Sequence, residues 1–103
     1  MALNLSPIFI KNVSLAFPDG ARWLAKLSDL LDEAAQRWNL TLGDPFLLSY
    51  NYVCAATLAD GTPAVLKIGV PNPELTSEIA ALHLYAGQGA CELYEADPEA
   101  GML

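Results

Sequence analysis

Three strand-like segments, separated by short turns, occupy the middle of the sequence. They cover residues 46–50, 52–58 and 63–70, and each is rich in aromatic, β-branched or other apolar residues. Between the second and third segments, the dipeptide Asp60-Gly61 favours a tight hairpin turn. Strands joined by such short connections pair with opposite polarity. The sequence therefore predicts an antiparallel sheet whose strands follow chain order.

Two helices are predicted, one on each side of these strands. Residues 20–38 carry apolar side chains at intervals of three and four with charged residues between them, which is the pattern of an amphipathic helix. Asp19 is a candidate cap for its start, and Asn39 is a candidate stop. A second helix is expected over 73–87, with Asn72 as its cap and a proline at its first position.

The two ends of the sequence, and the residues just before the first predicted strand, show weaker patterns. Residues 1–18 are apolar without a clear period and are predicted to form an N-terminal arm, with a short strand near 8–10. Because a further apolar element begins at Met102, just before the sequence stops, we expect a fragment of a larger domain. The other predictions are a turn at 43–45, a fourth strand at 90–96 and a turn at 97–101. The predicted parts of the chain are the arm at 1–18, the amphipathic helix at 19–40 and the sheet with its helix at 41–103.

Composition narrows the class of protein and of partner. The 103 residues suffice for one domain, and 53% hydrophobic with 17% charged residues excludes intrinsic disorder. Twelve acidic against five basic residues give a net charge of −7, which opposes binding to nucleic acid. No apolar stretch approaches the ~20 residues of a membrane span, and no signal-peptide pattern is visible. A cytoplasmic protein with no membrane partner is therefore expected.

The two cysteines do not form a recognisable motif. Cys54 and Cys91 each lie in an apolar stretch, and buried free thiols in a reducing compartment are commoner there than a disulfide. A zinc site needs about four ligands, and His83 is the single histidine of the chain. A structural zinc site is therefore not expected.

Lys67 and Glu78 are the two charged residues that fit an ordinary core least well. Strand alternation places Lys67 on one face of the third strand with Val65 and Gly69, where a lysine is costly to bury without a partner. Glu78 lies at the margin of the apolar stripe of the second helix. Taken singly, each is explained by a solvated side chain at the edge of its element. Taken together, a strand lysine followed by a helix glutamate predicts an ion pair that holds a lysine on nucleotide phosphates.

Three stretches of sequence carry a resemblance to a known family. They are 49–53 (SYNYV), 60–69 (DGTPAVLKIG) and 73–82 (PELTSEIAAL). They resemble the amino-terminal lobe of the aminoglycoside phosphotransferases, in particular the streptomycin 6-kinase type that acts in aminoglycoside and hydroxyurea resistance. With the preceding helix, the resemblance covers about residues 9–103.

The resemblance implies a fold and a nucleotide site. The fold is α+β, a protein-kinase-like small lobe in which an antiparallel sheet has a preceding amphipathic helix and one packed αC-like helix. ATP binds below the sheet, with Lys67 on the α- and β-phosphates and Glu78 paired to Lys67. The other implied ATP-binding residues are Ser49, Tyr50, Asn51 and Tyr52 in the turn over the phosphates, and Val65 and Met102 as walls of the adenine pocket.

Two departures from the family pattern limit the function of this chain alone. No Gly-x-Gly-x-x-Gly motif occurs at the turn between the first two strands, and the sequence has no His-Gly-Asp catalytic loop. The implied cofactors are ATP and Mg²⁺, with the Mg²⁺ ligands, the catalytic residues and most of the antibiotic site in a carboxy-terminal lobe that this sequence lacks. We therefore expect the ATP-binding lobe of an antibiotic phosphotransferase, inactive as this fragment.

Two alternatives remain open at this stage. The chain could be a non-catalytic interaction module that uses an exposed apolar face of its sheet, as the high hydrophobic content suggests. It could also be a kinase-like lobe that assembles in trans with a separately encoded second lobe.

Overall fold

Three helices and three strands make up a computed structural model that describes residues 5–46, 48, 50–85, 87 and 92–103. This is an α+β arrangement, as the sequence predicts. In chain order the elements are α1 (Pro7–Ala16), α2 (Gly20–Arg37), β1 (Thr41–Pro45), β2 (Tyr52–Thr57), β3 (Pro63–Ile68) and α3 (Pro73–Tyr85).

The strands form the predicted antiparallel meander, in the order β1-β2-β3. The β2–β3 hairpin closes at Gly61, whose φ of 89° suits a residue without a Cβ. Asp60 supports the turn because its carboxylate accepts a hydrogen bond from the Thr62 N–H, at 2.9 Å. In the resulting register Val53 lies opposite Lys67, and Tyr52 lies opposite Ile68.

The prediction for β1 was wrong in position. The residues assigned to a turn, 43–45, belong to the strand, whereas Phe46, Leu48 and Tyr50 lie outside it; Leu47 and Ser49 fall outside the described residues. An irregularity between Leu42 and Pro45 makes this possible, because a bulge on an edge strand accommodates a proline. The Gly-Asp-Pro sequence therefore lies within a strand, which it distorts without ending it.

The prediction for the N-terminus was also wrong, since the segment assigned to an arm with a short strand contains helix α1. Ser6 caps this helix by accepting a hydrogen bond from the Phe9 N–H at 3.2 Å. Phe9 and Val13, one turn apart, are both fully buried against the rest of the protein. A Cβ on Gly20 would overlap the Val13 carbonyl, so this glycine lets α1 and α2 approach closely.

Helix α2 matches its prediction closely. Besides Gly20, its buried residues are Trp23, Leu27, Leu31 and Ala34, at the spacing of one helix face. Asn39 ends the helix with a φ of 52°, as predicted. Asp19 occupies the N-cap position, but its side chain makes no capping hydrogen bond, so this part of the prediction was wrong.

The two faces of the sheet have different surroundings. Leu66 and Ile68 of β3 are buried in one apolar core with residues of α1 and α2. The opposite face carries Lys67, which is partly buried, and Val65, which is 56% exposed. One sheet face is therefore built for stability, and the other is open for contact with a ligand or partner.

The last twelve residues run back to the edge of β3. The described part of the predicted fourth strand, 92–96, is not a strand. Asp97 and Met102 exchange backbone hydrogen bonds across a turn, and Leu103 then exchanges a pair of backbone hydrogen bonds with Lys67. Among the described residues 92–103, pairing with the edge of β3 begins only after the turn, at 101–103.

Candidate functional site

Lys67 and Glu78 form the predicted ion pair between β3 and α3. The Lys67 Nζ lies 2.8 Å from Glu78 Oε1 and 2.9 Å from Oε2, so the ammonium contacts both carboxylate oxygens. Their side chains are 26% and 40% exposed. The pair is therefore reachable from solvent, and at this exposure its contribution to stability is small.

Local sequence explains how both side chains reach this position. Lys67 lies between the buried residues Leu66 and Ile68, so strand alternation directs it to the opposite face of β3. Asn72 caps α3 by accepting a hydrogen bond from the Leu75 N–H at 3.1 Å, and it also donates to the Val70 carbonyl at 2.7 Å. These bonds fix where the helix starts and thereby which residue of α3 faces Lys67.

A cavity of about 640 Å³ lies beside Lys67 and Glu78. Four charged residues border it: the ion-paired Lys67 and Glu78, and also Glu92 and Glu95. Much of the remaining wall is apolar. It includes Trp38, Leu40, Val65, Leu82, Leu93, Tyr94 and Leu103. The Lys67 ammonium offers a contact for an anionic group and the apolar wall a surface for a flat apolar group, while one lysine and three glutamates give the lining a formal charge of −2.

A second cavity, of about 660 Å³, lies at the start of α3. Tyr50 and Asn51 border it, together with Glu78, which also borders the first cavity. Asn51 lies against β3, because a Cβ on Gly69 would overlap its Oδ1. These two predicted ATP-binding residues therefore border the second cavity and not the Lys67 cavity.

Two other predicted ATP-binding residues, Tyr52 and Met102, are buried in the core. Tyr52 is 6% exposed and lies opposite Ile68 in the core, and burial raises the pKa of its hydroxyl. Met102 is fully buried and also pairs with Ile68. Neither residue borders the cavity of Lys67, although Ala56 and Leu66 of the same sheet face do. Both side chains pack the core, and their role in ATP binding stays a prediction.

Leu103 takes the position that the sequence assigned to Met102. It lies opposite Lys67, through hydrogen bonds of 2.8 Å and 2.9 Å, and it borders the cavity. The sequence holds no signal that distinguishes these neighbours, since the register depends on the turn between Asp97 and Met102. Val65 borders the cavity as predicted, and Ser49 lies outside the described residues.

An ion pair outside the cavity joins α2 to the chain's last turn. Arg37 Nη1 donates to Asp97 Oδ2, and this hydrogen bond lowers the pKa of the Asp97 carboxyl. The Arg37 guanidinium also lies 5.6 Å from the ring centre of Trp38. Sequence reasoning missed this pair, because sixty residues separate its members and each looks like an ordinary surface charge.

No metal site is evident in the residues described. Across 5–46, 48, 50–85, 87 and 92–103, no three His, Cys, Asp or Glu side chains are grouped so as to hold a metal ion. Helices of the same residues include none long and apolar enough to cross a membrane. Cys54 is a buried free thiol, and burial raises its pKa.

Comparison with known proteins identifies relatives over most of the chain. It is 33% identical over 86 residues to a streptomycin 6-kinase of Streptomyces glaucescens and 30% identical over 86 residues to one of Streptomyces griseus. It is 33% identical over 85 residues to a hydroxyurea phosphotransferase of Kitasatospora aureofaciens.

These matches cover 82% of this chain but only 28%, 28% and 25% of the respective relatives. The chain thus spans about a quarter of the length of the curated relatives it matches. No family model and no solved structure matches it. Together these similarities confirm the relationship predicted from the sequence: over most of its length, the chain is related to phosphotransferases of the streptomycin 6-kinase type.

Proposed function

We propose that this chain is the ATP-binding part of an antibiotic phosphotransferase. The observation that carries the proposal is the two-oxygen contact between Lys67 Nζ and Glu78 at the edge of a cavity. The names of the relatives, streptomycin 6-kinase and hydroxyurea phosphotransferase, support this class of reaction. The three-stranded sheet with helix α3 is compatible with a protein-kinase-like small lobe that spans 41–103.

In the proposed role, Lys67 supplies a positive charge to phosphate oxygens. An ammonium is a compact point charge that suits this task, and Glu78 holds it in place through both carboxylate oxygens. Val65 and Leu103 offer apolar surface beside it for the adenine ring. The cavity of about 640 Å³ lies within the range of roughly 300–1,000 Å³ that is usual for small-molecule sites.

The remaining parts of the reaction are proposed to come from a carboxy-terminal lobe. Transfer of the γ-phosphoryl group to an antibiotic hydroxyl needs a base that orients the acceptor and ligands for Mg²⁺. This sequence has no His-Gly-Asp loop, and its described residues hold no metal-binding group. The chain alone would therefore bind nucleotide without turning it over, and the antibiotic would bind elsewhere in the complete enzyme.

Titration calorimetry of the chain with ATP and Mg²⁺ tests the proposal. We expect measurable binding that falls about tenfold or more in Lys67→Ala, because a hydrogen bond to a charged group contributes about 1.5–3 kcal/mol. Lys26→Ala, which removes an exposed lysine of α2, is the matched control and should bind like the native chain. Equal affinity of the two variants would contradict the proposed role of Lys67.

A second candidate is a binding module without catalysis, which contacts a partner through the open sheet face. The observation in its favour is the exposure of apolar residues, with Val65 56% exposed on that face and Leu84 of α3 80% exposed. Sedimentation at several concentrations distinguishes this candidate. A monomer that also binds no apolar dye would argue against it, and self-association without ATP binding would favour it.

A further inference from the structure

Arg37 contacts Trp38, which belongs to the wall of the Lys67 cavity, and Asp97, which lies outside that wall. Its guanidinium lies over Trp38, which borders the cavity, and its Nη1 donates to Asp97. Asp97 begins the turn that brings Leu103, another wall residue, to Lys67. An arginine at the end of α2, outside the cavity, is therefore connected to both the helical and the C-terminal sides of the site.

Asp97 holds the turn through several bonds at once. Its backbone exchanges hydrogen bonds with Met102, at 2.8 Å and 3.0 Å, and its Oδ1 accepts from the Ala100 N–H at 3.2 Å. Its other carboxylate oxygen, Oδ2, accepts from Arg37. One carboxylate thus stabilises the turn with one oxygen and anchors it to α2 with the other.

The turn determines which residue lies beside Lys67. Gly69 N–H donates to the Gly101 carbonyl at 2.9 Å, and Lys67 N–H donates to the Leu103 carbonyl at 2.8 Å. A shift of one residue in this pairing would exchange the faces of Met102 and Leu103. The buried methionine would then face the cavity, and the leucine would face the core.

We infer that Arg37 is a positioning residue for the nucleotide site: its bond to Asp97 fixes the register of residues 101–103 on β3 and so places Leu103 beside Lys67. The inference rests on the proposed function as far as nucleotide is concerned. The register of residues 101–103 follows from their hydrogen bonds to Lys67 and Gly69, whether or not nucleotide binds. Arg37 itself does not border the cavity, so it acts through the turn and through Trp38.

Amide hydrogen exchange with and without ATP tests both parts. In Arg37→Gln, the Lys67 and Gly69 amides should exchange faster, by on the order of two- to fivefold, which is the range for an exposed ion pair. The Leu66 and Ile68 amides, which face β2 by the alternation of an antiparallel ladder, should change less and serve as internal controls. The affinity for ATP with Mg²⁺ should fall by a similar factor.

Three further variants separate positioning from general destabilisation. Arg37→Lys retains the charge and should restore most of the protection and affinity. Asp97→Asn keeps an acceptor for the Ala100 N–H but loses the charge, so it should behave like Arg37→Gln. Arg22→Gln removes an exposed arginine near the other end of α2 and should leave both measurements unchanged.

The outcomes distinguish the inference from the proposed function. Unchanged exchange at Lys67 and Gly69 in Arg37→Gln, or equal exchange in Arg37→Gln and Arg22→Gln, would overturn the inference. No ATP binding by the native chain would overturn the proposed function and with it the nucleotide part of the inference. Equally faster exchange at all four amides of residues 66–69 would also overturn it, since the effect would then not be confined to the edge that residues 101–103 cover.

Discussion

Lys67 shows how one polar side chain fits into an otherwise apolar strand. Its neighbours Leu66 and Ile68 are buried in the core, while the alternation of β3 turns the ammonium to the open face. Glu78 meets it there with both carboxylate oxygens. Since both side chains keep contact with solvent, the pair avoids most of the desolvation that makes fully buried ion pairs costly.

Replacing Glu78 with Gln should lower the affinity for ATP more than it lowers the stability of the fold. The free energy of unfolding should change by less than about 1 kcal/mol, because partly exposed ion pairs contribute little. ATP affinity should fall more, because the Lys67 ammonium loses the group that orients it. Urea unfolding and calorimetry measure the two effects, with Asp32→Asn on α2 as the control. A large loss of stability with unchanged affinity would show that the pair is only structural.

At the scale of elements, the starts of α2 and α3 make a natural comparison of capping. Asn72 accepts a hydrogen bond from the Leu75 N–H and donates one to the Val70 carbonyl, whereas the Asp19 side chain makes no capping bond. Asn72→Ala should therefore cost about 1 kcal/mol of unfolding free energy, and Asp19→Ala much less. Thermal or urea denaturation compares them, and equal losses would rule out capping as the cause.

Substitutions at Gly61 and Gly101, which both have a positive φ, allow the cost of backbone strain to be distinguished from that of a steric overlap. Gly61 has a φ of 89° with open space around it, while Gly101 has a φ of 74° and a Cβ there would overlap the Gly69 carbonyl. Gly61→Ala should cost about 1–2 kcal/mol, the penalty for a left-handed L-residue. Gly101→Ala should cost more and should also speed exchange of the Gly69 amide, because the added methyl group would push residue 101 away from Gly69. Similar values in both variants would contradict this account.

Element by element, the sequence succeeded where its signal was local. The period of α2, the Asp60-Gly61 turn and the Asn72 cap each depend on a few neighbouring residues, and all three are present in the structure. The prediction of β1 was wrong because a bulge at 42–45 lets Pro45 stay in an edge strand. Helix α1 was missed because an apolar segment without clear period does not distinguish a buried helix from a strand.

As with the fold, those parts of the site that depend on neighbouring residues could be predicted from the sequence. The Lys67–Glu78 contact follows from strand alternation and helix spacing, so it could be predicted from two segments. Met102 and Tyr52 could not be placed on their correct faces, since each lies on the core side only through its register with Ile68. Register depends on long-range pairing, and one residue of shift reverses every face.

For the whole molecule, the bond between Arg37 and Asp97 predicts a dependence of stability on pH. The hydrogen bond from Arg37, followed by the Ala100 N–H, lowers the pKa of Asp97 below its ordinary value of 3.8. A lowered folded-state pKa adds stability that is present above the unfolded value and is lost as the pH falls through the folded value. The native chain should therefore exceed Asp97→Asn in unfolding free energy at about pH 7 and lose this advantage progressively as the pH falls below the ordinary aspartate pKa of about 3.9. A difference that is constant across this pH range would contradict the assignment.

The two tryptophans differ in their exposure to solvent, and this difference should be visible in their fluorescence. Trp23 is buried edge-on to Phe9, at a ring-centre distance of 6.1 Å, and its indole N–H has no hydrogen-bond partner among the described residues. Trp38 is partly exposed beneath the Arg37 guanidinium and borders the Lys67 cavity. Trp23 should therefore emit at short wavelength and report on the helix pair, while Trp38 should emit further to the red. In a Trp23→Phe chain, the fluorescence of a single native indole would then follow occupancy of the cavity without any added label.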